Sequence, residues 1–194
     1  MNRLLLLFTC AVCIFTSNNL MSQQNARTLR DKVFVKTNLL NLTALGPSII
    51  VEKAVTHNVT IEASFASGKF DTGDPDYYKY RGTVVRAKRY FRPITRAKVY
   101  GHSNLYVGTL DRTIRESGWG DGWFAWPERY LTSSSFRFGG GVGMTYFAKN
   151  NLILELQANA GYGAYTYVNE HGYRYDVPAG YLDVQAGINI GYAF

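Results

Sequence analysis

The feature that most constrains this chain is an alternation of apolar and polar side chains with a period of two, repeated in segment after segment. Such a period places successive side chains on opposite faces of an extended strand. The last segment shows it best: Leu182, Val184, Ala186, Ile188, Ile190, Tyr192 and Phe194 share one face, and Asp183, Gln185, Gly187, Asn189 and Gly191 share the other. The segment before it sets Leu152, Leu154, Leu156, Ala158, Ala160 and Tyr162 against Glu155, Gln157, Asn159, Gly161 and Gly163. Phe136, Phe138, Gly140, Val142, Met144 and Tyr146 likewise oppose Arg137, Gly139, Gly141, Gly143 and Thr145. Working towards the amino end, the pattern continues in Val99 to Leu110, Tyr80 to Phe91, Val59 to Phe70, Ser48 to Val55 and Val33 to Leu42.

That makes eight segments of about ten residues, the length a tilted strand needs to cross a bilayer, whereas strands of globular proteins run to about five or six. The spacing predicts an all-β fold, an eight-stranded antiparallel up-and-down transmembrane β-barrel. Fifteen tyrosines and nineteen glycines against five prolines suit many strands better than long helices. No internal apolar run reaches the roughly 18 to 20 residues of a spanning helix.

Connection lengths support the same topology. Short turns at Thr56 to Asn58, Arg92 to Arg96 and Ala148 to Asn151 alternate with longer links at Asp71 to Lys79, Asp111 to Ser134 and Val168 to Val177. Tight periplasmic turns and larger extracellular loops give this asymmetry. Only the link around Thr43 to Gly46 is short where a long one is expected. Aromatic residues fall near the strand ends: Tyr90 with Phe91, Tyr146 with Phe147 and Tyr192 with Phe194 at the periplasmic side, and Tyr78, Tyr80, Tyr162, Tyr165 and Tyr167 at the other. Two interfacial girdles are expected from that distribution.

Ahead of the alternating segments, Arg3, the apolar stretch Leu4 to Phe15 and the polar Ser17-Asn18-Asn19 have the layout of a secretory signal peptide. The expected organisation is a signal peptide over residues 1–22, cleaved after Ser22 or alternatively after Ala26, and a barrel domain over residues 23–194. Cleavage removes Cys10 and Cys13, so no disulfide is inferred. A lipoprotein reading, with lipid on either cysteine, fits poorly because Thr9 and Val12 precede them. Removing Arg3 leaves twenty basic residues against fourteen acidic ones, a net charge of +6. The densest basic cluster, Lys88, Arg89, Arg92, Arg96 and Lys98, suits a turn near lipid headgroups; in an exported chain it does not point to nucleic acid.

Alternation alone does not distinguish a membrane barrel from a soluble one with its apolar face inside. The polar faces are rich in Gly, Asn, Gln and Tyr and poor in lysine, which suits a crowded polar interior. On this reading Lys36, Arg86, Lys88 and Arg137 share a narrow lumen with Glu52, Glu62, Glu155 and Asp183. An eight-stranded barrel is filled by its own side chains, so these bases and acids are expected to neutralise one another as a polar plug. The alternative for the same charges is a small gated pore or a proton path.

Enzymatic and metal chemistry find weaker support. Barrel enzymes that deacylate or palmitoylate lipid A use a His with a Ser and an acid. Here His102 and Ser103 are adjacent and so point to opposite faces, His57 falls in a turn, and His171 lies in a loop without a serine partner. The run Asp71-Thr72-Gly73-Asp74-Pro75-Asp76 lacks the order of an EF-hand loop and reads as a turn. No His, Cys and carboxylate cluster has zinc spacing, so no metal, cofactor or catalytic residue is assigned. The most distinctive link holds all three tryptophans, Trp119, Trp123 and Trp126, with Phe124 beside them. Such a cluster either contacts a glycan or protein partner or packs on itself or on lipid.

The terminal Phe194, with Tyr192, Ile190 and Ile188 alternating before it, resembles the insertion signal read by the outer-membrane barrel assembly machinery. The opening run Val35-Lys36-Thr37-Asn38-Leu39-Leu40, followed by Pro47 and Val51-Glu52, is similar to a family of small outer-membrane barrels of unknown function from Bacteroides-type bacteria. The family often has Tyr-Asp after the double leucine, where this chain has Asn41-Leu42. The resemblance implies a non-enzymatic anchor or surface-interaction platform in the outer membrane, linked to fimbriae or adhesins. It also implies lipid, lipopolysaccharide and a surface protein or glycan as partners. A membrane-embedded enzyme acting on lipid A or phospholipid is the alternative.

Overall fold

The computed structural model describes residues 32–73, 76–94, 98–116, 129–170, 173–174 and 180–194. The signal-peptide segment, Asp74 and Pro75, Arg96, the tryptophan-rich link with Trp119, Trp123, Phe124 and Trp126, and His171 lie outside them.

The strands are β1 (Val33–Asn38), β2 (Ser48–Ala54), β3 (Val59–Gly73), β4 (Asp76–Tyr90), β5 (Lys98–Glu116), β6 (Arg129–Phe147), β7 (Leu152–Glu170), the two-residue β8 (Tyr173–Arg174) and β9 (Tyr181–Ala193). Each longer strand pairs antiparallel with its neighbour in sequence, β7 pairs with β9, and β9 returns to β1. Eight strands therefore form one up-and-down sheet that closes into a ring, and β8 pairs with the end of β7. Closure satisfies backbone groups that an open sheet would leave on two edges.

Local chemistry sets the turns at the end where β1 begins and β9 finishes. In the turn after β2, Thr56 Oγ1 accepts from the Val59 amide at 3.0 Å. In the turn after β6, Asn151 takes a φ of 68°, a left-handed conformation that asparagine tolerates well.

Three expectations about element boundaries are corrected. The first alternating segment does not run to Leu42: β1 ends at Asn38, whose side chain accepts from the Leu40 amide at 3.0 Å and caps a short helical turn, α1 (Leu39–Leu42). In the links expected at Asp71 to Lys79, Asp111 to Ser134 and Val168 to Val177, the described residues are strand. Pairing continues to Gly73↔Asp76, to Glu116↔Arg129 and through β8. Hence β5, β6 and β7 have 19 residues each against the expected ten or so, while β1 has 6 and β2 has 7.

Third, the terminal aromatics do not all face outward. Tyr90 and Phe147 share the parity of the inward Lys88 and Thr145 and are buried with Phe34, Ile94, Tyr100, Ile153 and Ala193. Ring centroids in this cluster lie 5.4 Å apart for Phe34–Phe147 and 6.0 Å for Tyr100–Phe147, within aromatic contact range. At the end where β1 begins and β9 finishes the interior is therefore filled by an apolar cluster. Phe91, Tyr146 and Phe194 remain on the outside.

Candidate functional site

Above the apolar cluster lies a layer of charge. Glu52 of β2, Glu62 of β3 and Arg86 of β4 are directly opposed across consecutive strands. Two facing carboxylates repel each other unless cations intervene. Lys36 enters from β1 and Lys88 from β4 to supply them. Lys36 Nζ lies 2.5 Å from Glu52 and 2.9 Å from Glu62 and also contacts Glu155. Lys88 Nζ lies 2.6 Å from Glu62 and 3.3 Å from Glu52, and it too contacts Glu155. Arg86 Nη1 donates to the remaining oxygen of Glu62 at 2.6 Å. Three acids thus meet three bases. All six side chains are buried; Glu62 and Lys88 are 0% exposed.

A second pair lies higher. Arg137 Nη1 is 3.6 Å from Asp183, which also accepts from Tyr106 at 2.8 Å and from Gln185 Nε2 at 2.7 Å. Gln185 Oε1 accepts in turn from Arg86 Nη2 at 2.8 Å, joining the two layers. All eight charged residues named from the sequence therefore belong to one chain of contacts, four basic and four acidic, with no net charge. Burying this much charge is favourable only with such complete pairing.

Four uncharged or weakly basic side chains join the network: parity puts Thr60, His102 and Tyr106 on the polar faces, whereas Tyr90 is expected in a girdle. Thr60 donates to Glu52 at 2.5 Å and Tyr90 donates to it at 3.1 Å. Tyr106 binds Asp183, and His102 Nε2 lies 3.3 Å from Glu155 without the alignment of a hydrogen bond. Each shares the inward parity of charged neighbours, and for Tyr90 that parity is the signal that could have identified it. His102 fits because Gly143 faces it: a Cβ there would lie 2.6 Å from the imidazole. Ser103 points the other way and does not pair with this histidine.

The oxygens of Glu52, Glu62 and Glu155 come within 4.8 Å of one another, a spacing that could hold a metal ion. Two ammonium groups already stand among them, so the donor set is consumed by lysine.

Beyond the charge layer the interior widens into a cavity of about 540 Å³ towards the opposite end from the apolar cluster, lined by Arg86, Arg112, Arg137, Asn159 and Asp183 among others. Arg112 is held at its side, donating to Tyr165 at 2.6 Å and lying 4.1 Å over the Tyr181 ring. On the outside of the ring, large apolar side chains stand exposed, Leu105 at 71% and Leu182 at 75%. Outward charges include Lys53 and Arg89 near the end where β1 begins and β9 finishes, and Lys69, Asp71, Lys79, Arg81 and Asp111 towards the opposite end. At the carboxyl terminus the Tyr192 and Phe194 rings meet edge to face at 5.0 Å, and the Phe194 amide donates to Val33 O at 2.9 Å.

No family model matches the chain, and no curated protein matches it either.

Proposed function

We propose that the chain is a non-enzymatic outer-membrane β-barrel, delivered by an amino-terminal signal peptide, that serves as a membrane anchor or surface-interaction platform. The observation that carries this reading is the inverted partition of side chains. Charged residues fill the interior while Leu105, Val142, Leu182 and Val184 stand on the outside. In water such a surface would cost about 25 cal/mol for each Å² of exposed apolar area; against lipid tails it costs nothing.

The two groups of outward charge bracket this apolar zone, where long Lys and Arg side chains reach headgroups. Strands of 19 residues exceed the 9 to 11 or so that span a bilayer, so their upper portions project above it and carry the polar links. In this orientation the short turns are periplasmic, and the link between β5 and β6, which carries the three tryptophans, is the candidate contact for lipopolysaccharide, glycan or a surface protein. The terminal Tyr192 and Phe194 serve recognition by the barrel assembly machinery. The opening motif supports membership of the small Bacteroides-type barrels, and with it a link to fimbriae or adhesins.

Cell fractionation tests the proposal. The protein is expected to sediment with the outer membrane and to show heat-modifiable migration; recovery from the periplasm in soluble form without detergent would overturn it.

A further inference from the structure

The ring wall is not of even height. β1 stops at Asn38, opposite Asn189, yet β9 continues for eight more residues to Tyr181. On the far side β2 starts at Ser48, opposite Ala66, while β3 continues to Gly73. Between the upper parts of β9 and β3 the wall is thus a notch, partly filled by α1 and the segment that follows it. That segment is fastened to β3 by Ser67 N donating to Pro47 O at 3.1 Å and Lys69 N donating to Ala44 O at 2.9 Å.

The cavity reaches this notch. Its lining combines inward groups, Arg137, Asn159 and Asp183, with outward ones, Leu40, Leu182 and Val184, which stand on the apolar exterior. One continuous space therefore has a polar inner end and an apolar outer mouth. At the inner end several buried polar atoms lack a hydrogen-bond partner: Arg86 Nε, Arg137 Nε and both amide atoms of Asn159. Buried polar atoms without partners are uncommon in native proteins and mark places where water or a ligand completes the bonding. Arg137 has the room it occupies because Gly82 faces it; a Cβ at that position would lie 3.1 Å from Nη2.

Resting on the outer-membrane reading, we propose that this notch and cavity bind an acyl amphiphile with a phosphate or carboxylate head. The head sits against Arg137, Arg86 and Asn159, and the acyl chain leaves through the notch past Leu40, Leu182 and Val184 into lipid. Charge-assisted hydrogen bonds from guanidinium groups fit such a head, and a neutral head leaves those donors unmatched. A cavity of this volume holds a headgroup and the first part of a chain.

The test uses the full chain in dodecyl maltoside, with binding read by isothermal titration calorimetry. The probes are dihexanoyl phosphatidate, decanoate, decanol and inorganic phosphate. Phosphatidate or decanoate is expected to bind about tenfold or more tightly than decanol, as loss of a charged hydrogen bond implies, and more tightly than inorganic phosphate. The paired change Arg137→Gln with Asp183→Asn keeps the interior neutral and is expected to weaken anionic probes about tenfold while leaving decanol unchanged. Ala186→Phe, at the mouth, narrows the exit and weakens decanoate more than inorganic phosphate.

Heat-modifiable migration confirms that each variant is folded; if either fails, the ranking of the four probes on the unaltered chain still decides. Equal binding of decanoate and decanol, tighter binding of inorganic phosphate than of the amphiphiles, or no binding would each overturn the proposal. A protein that fractionates with the outer membrane yet binds none of these probes defeats this inference alone. One that binds decanoate but is soluble in the periplasm defeats the membrane reading.

Discussion

Glu155 is the meeting point of the buried charges: both lysine ammoniums contact it, and His102 lies beside it. Replacing Glu155 with Gln leaves two buried ammoniums facing two carboxylates, with Arg86 adding a third positive charge. Removing one partner of such a network costs about 3 to 5 kcal/mol. The Glu155→Gln variant is expected to lose about that much stability in urea unfolding from micelles. Adding Lys88→Met restores neutrality, so the double variant is expected to be more stable than the sum of the two single losses, a coupling that a double-mutant cycle reads. Additive losses would show that the contacts act independently. At this scale the sequence was most legible, because parity follows from the pleat. Lys36, Glu52, Glu62, Arg86, Lys88, Arg137, Glu155 and Asp183 could all be assigned to one face before any contact was known. Tyr90 and Phe147 were less legible, because aromatic residues at strand ends suit an interfacial girdle as well as the parity that places them inside.

Among the elements, α1 and its following turn depend on one side chain. Asn41 Nδ2 donates to Gly46 O, Pro47 O and Ser67 O at 2.9, 3.1 and 2.9 Å, and its Oδ1 accepts from Tyr80. At about 1 kcal/mol net for each such bond, Asn41→Ala is expected to cost roughly 2 to 4 kcal/mol. It should also accelerate hydrogen exchange at the Ser67 and Lys69 amides, while exchange in β6 stays slow. Unchanged protection at those two amides would contradict this role. Gly46 is equally constrained, because a Cβ there would come 1.7 Å from Ser67 O. These features were not legible beforehand. Asn38 ends β1 by capping α1, whereas the local pattern through Leu42 still alternates well enough to pass for strand. The lengths of β3 to β7 were underread for a related reason: polar residues such as Asp111, Arg112 and Thr113 resemble a loop locally, and only cross-strand pairing keeps them extended.

In the whole molecule the interior is layered from one end to the other: an apolar cluster, a neutral charge layer, the Arg137–Asp183 pair and then the open cavity. Among the described residues the first two layers are tightly filled: Phe34, Tyr90, Phe147 and Ile153 are each nearly inaccessible, and the charges beyond them are paired. Purified protein in planar bilayers is therefore expected to show no sustained conductance; a reproducible open state would contradict the closed interior. The up-and-down order of the strands was legible from eight alternating segments and short turns. The uneven wall was not, because it depends on where β1 and β2 stop relative to β9 and β3. The outward apolar surface is the claim on which the membrane reading turns. Single cysteines at Leu105 and Val184, labelled with a nitroxide after reconstitution into lipid vesicles, report that environment by collision with oxygen and with a water-soluble nickel chelate. Oxygen collisions are expected to dominate at both sites, and dominance of the nickel chelate there would place these side chains in water and contradict the account.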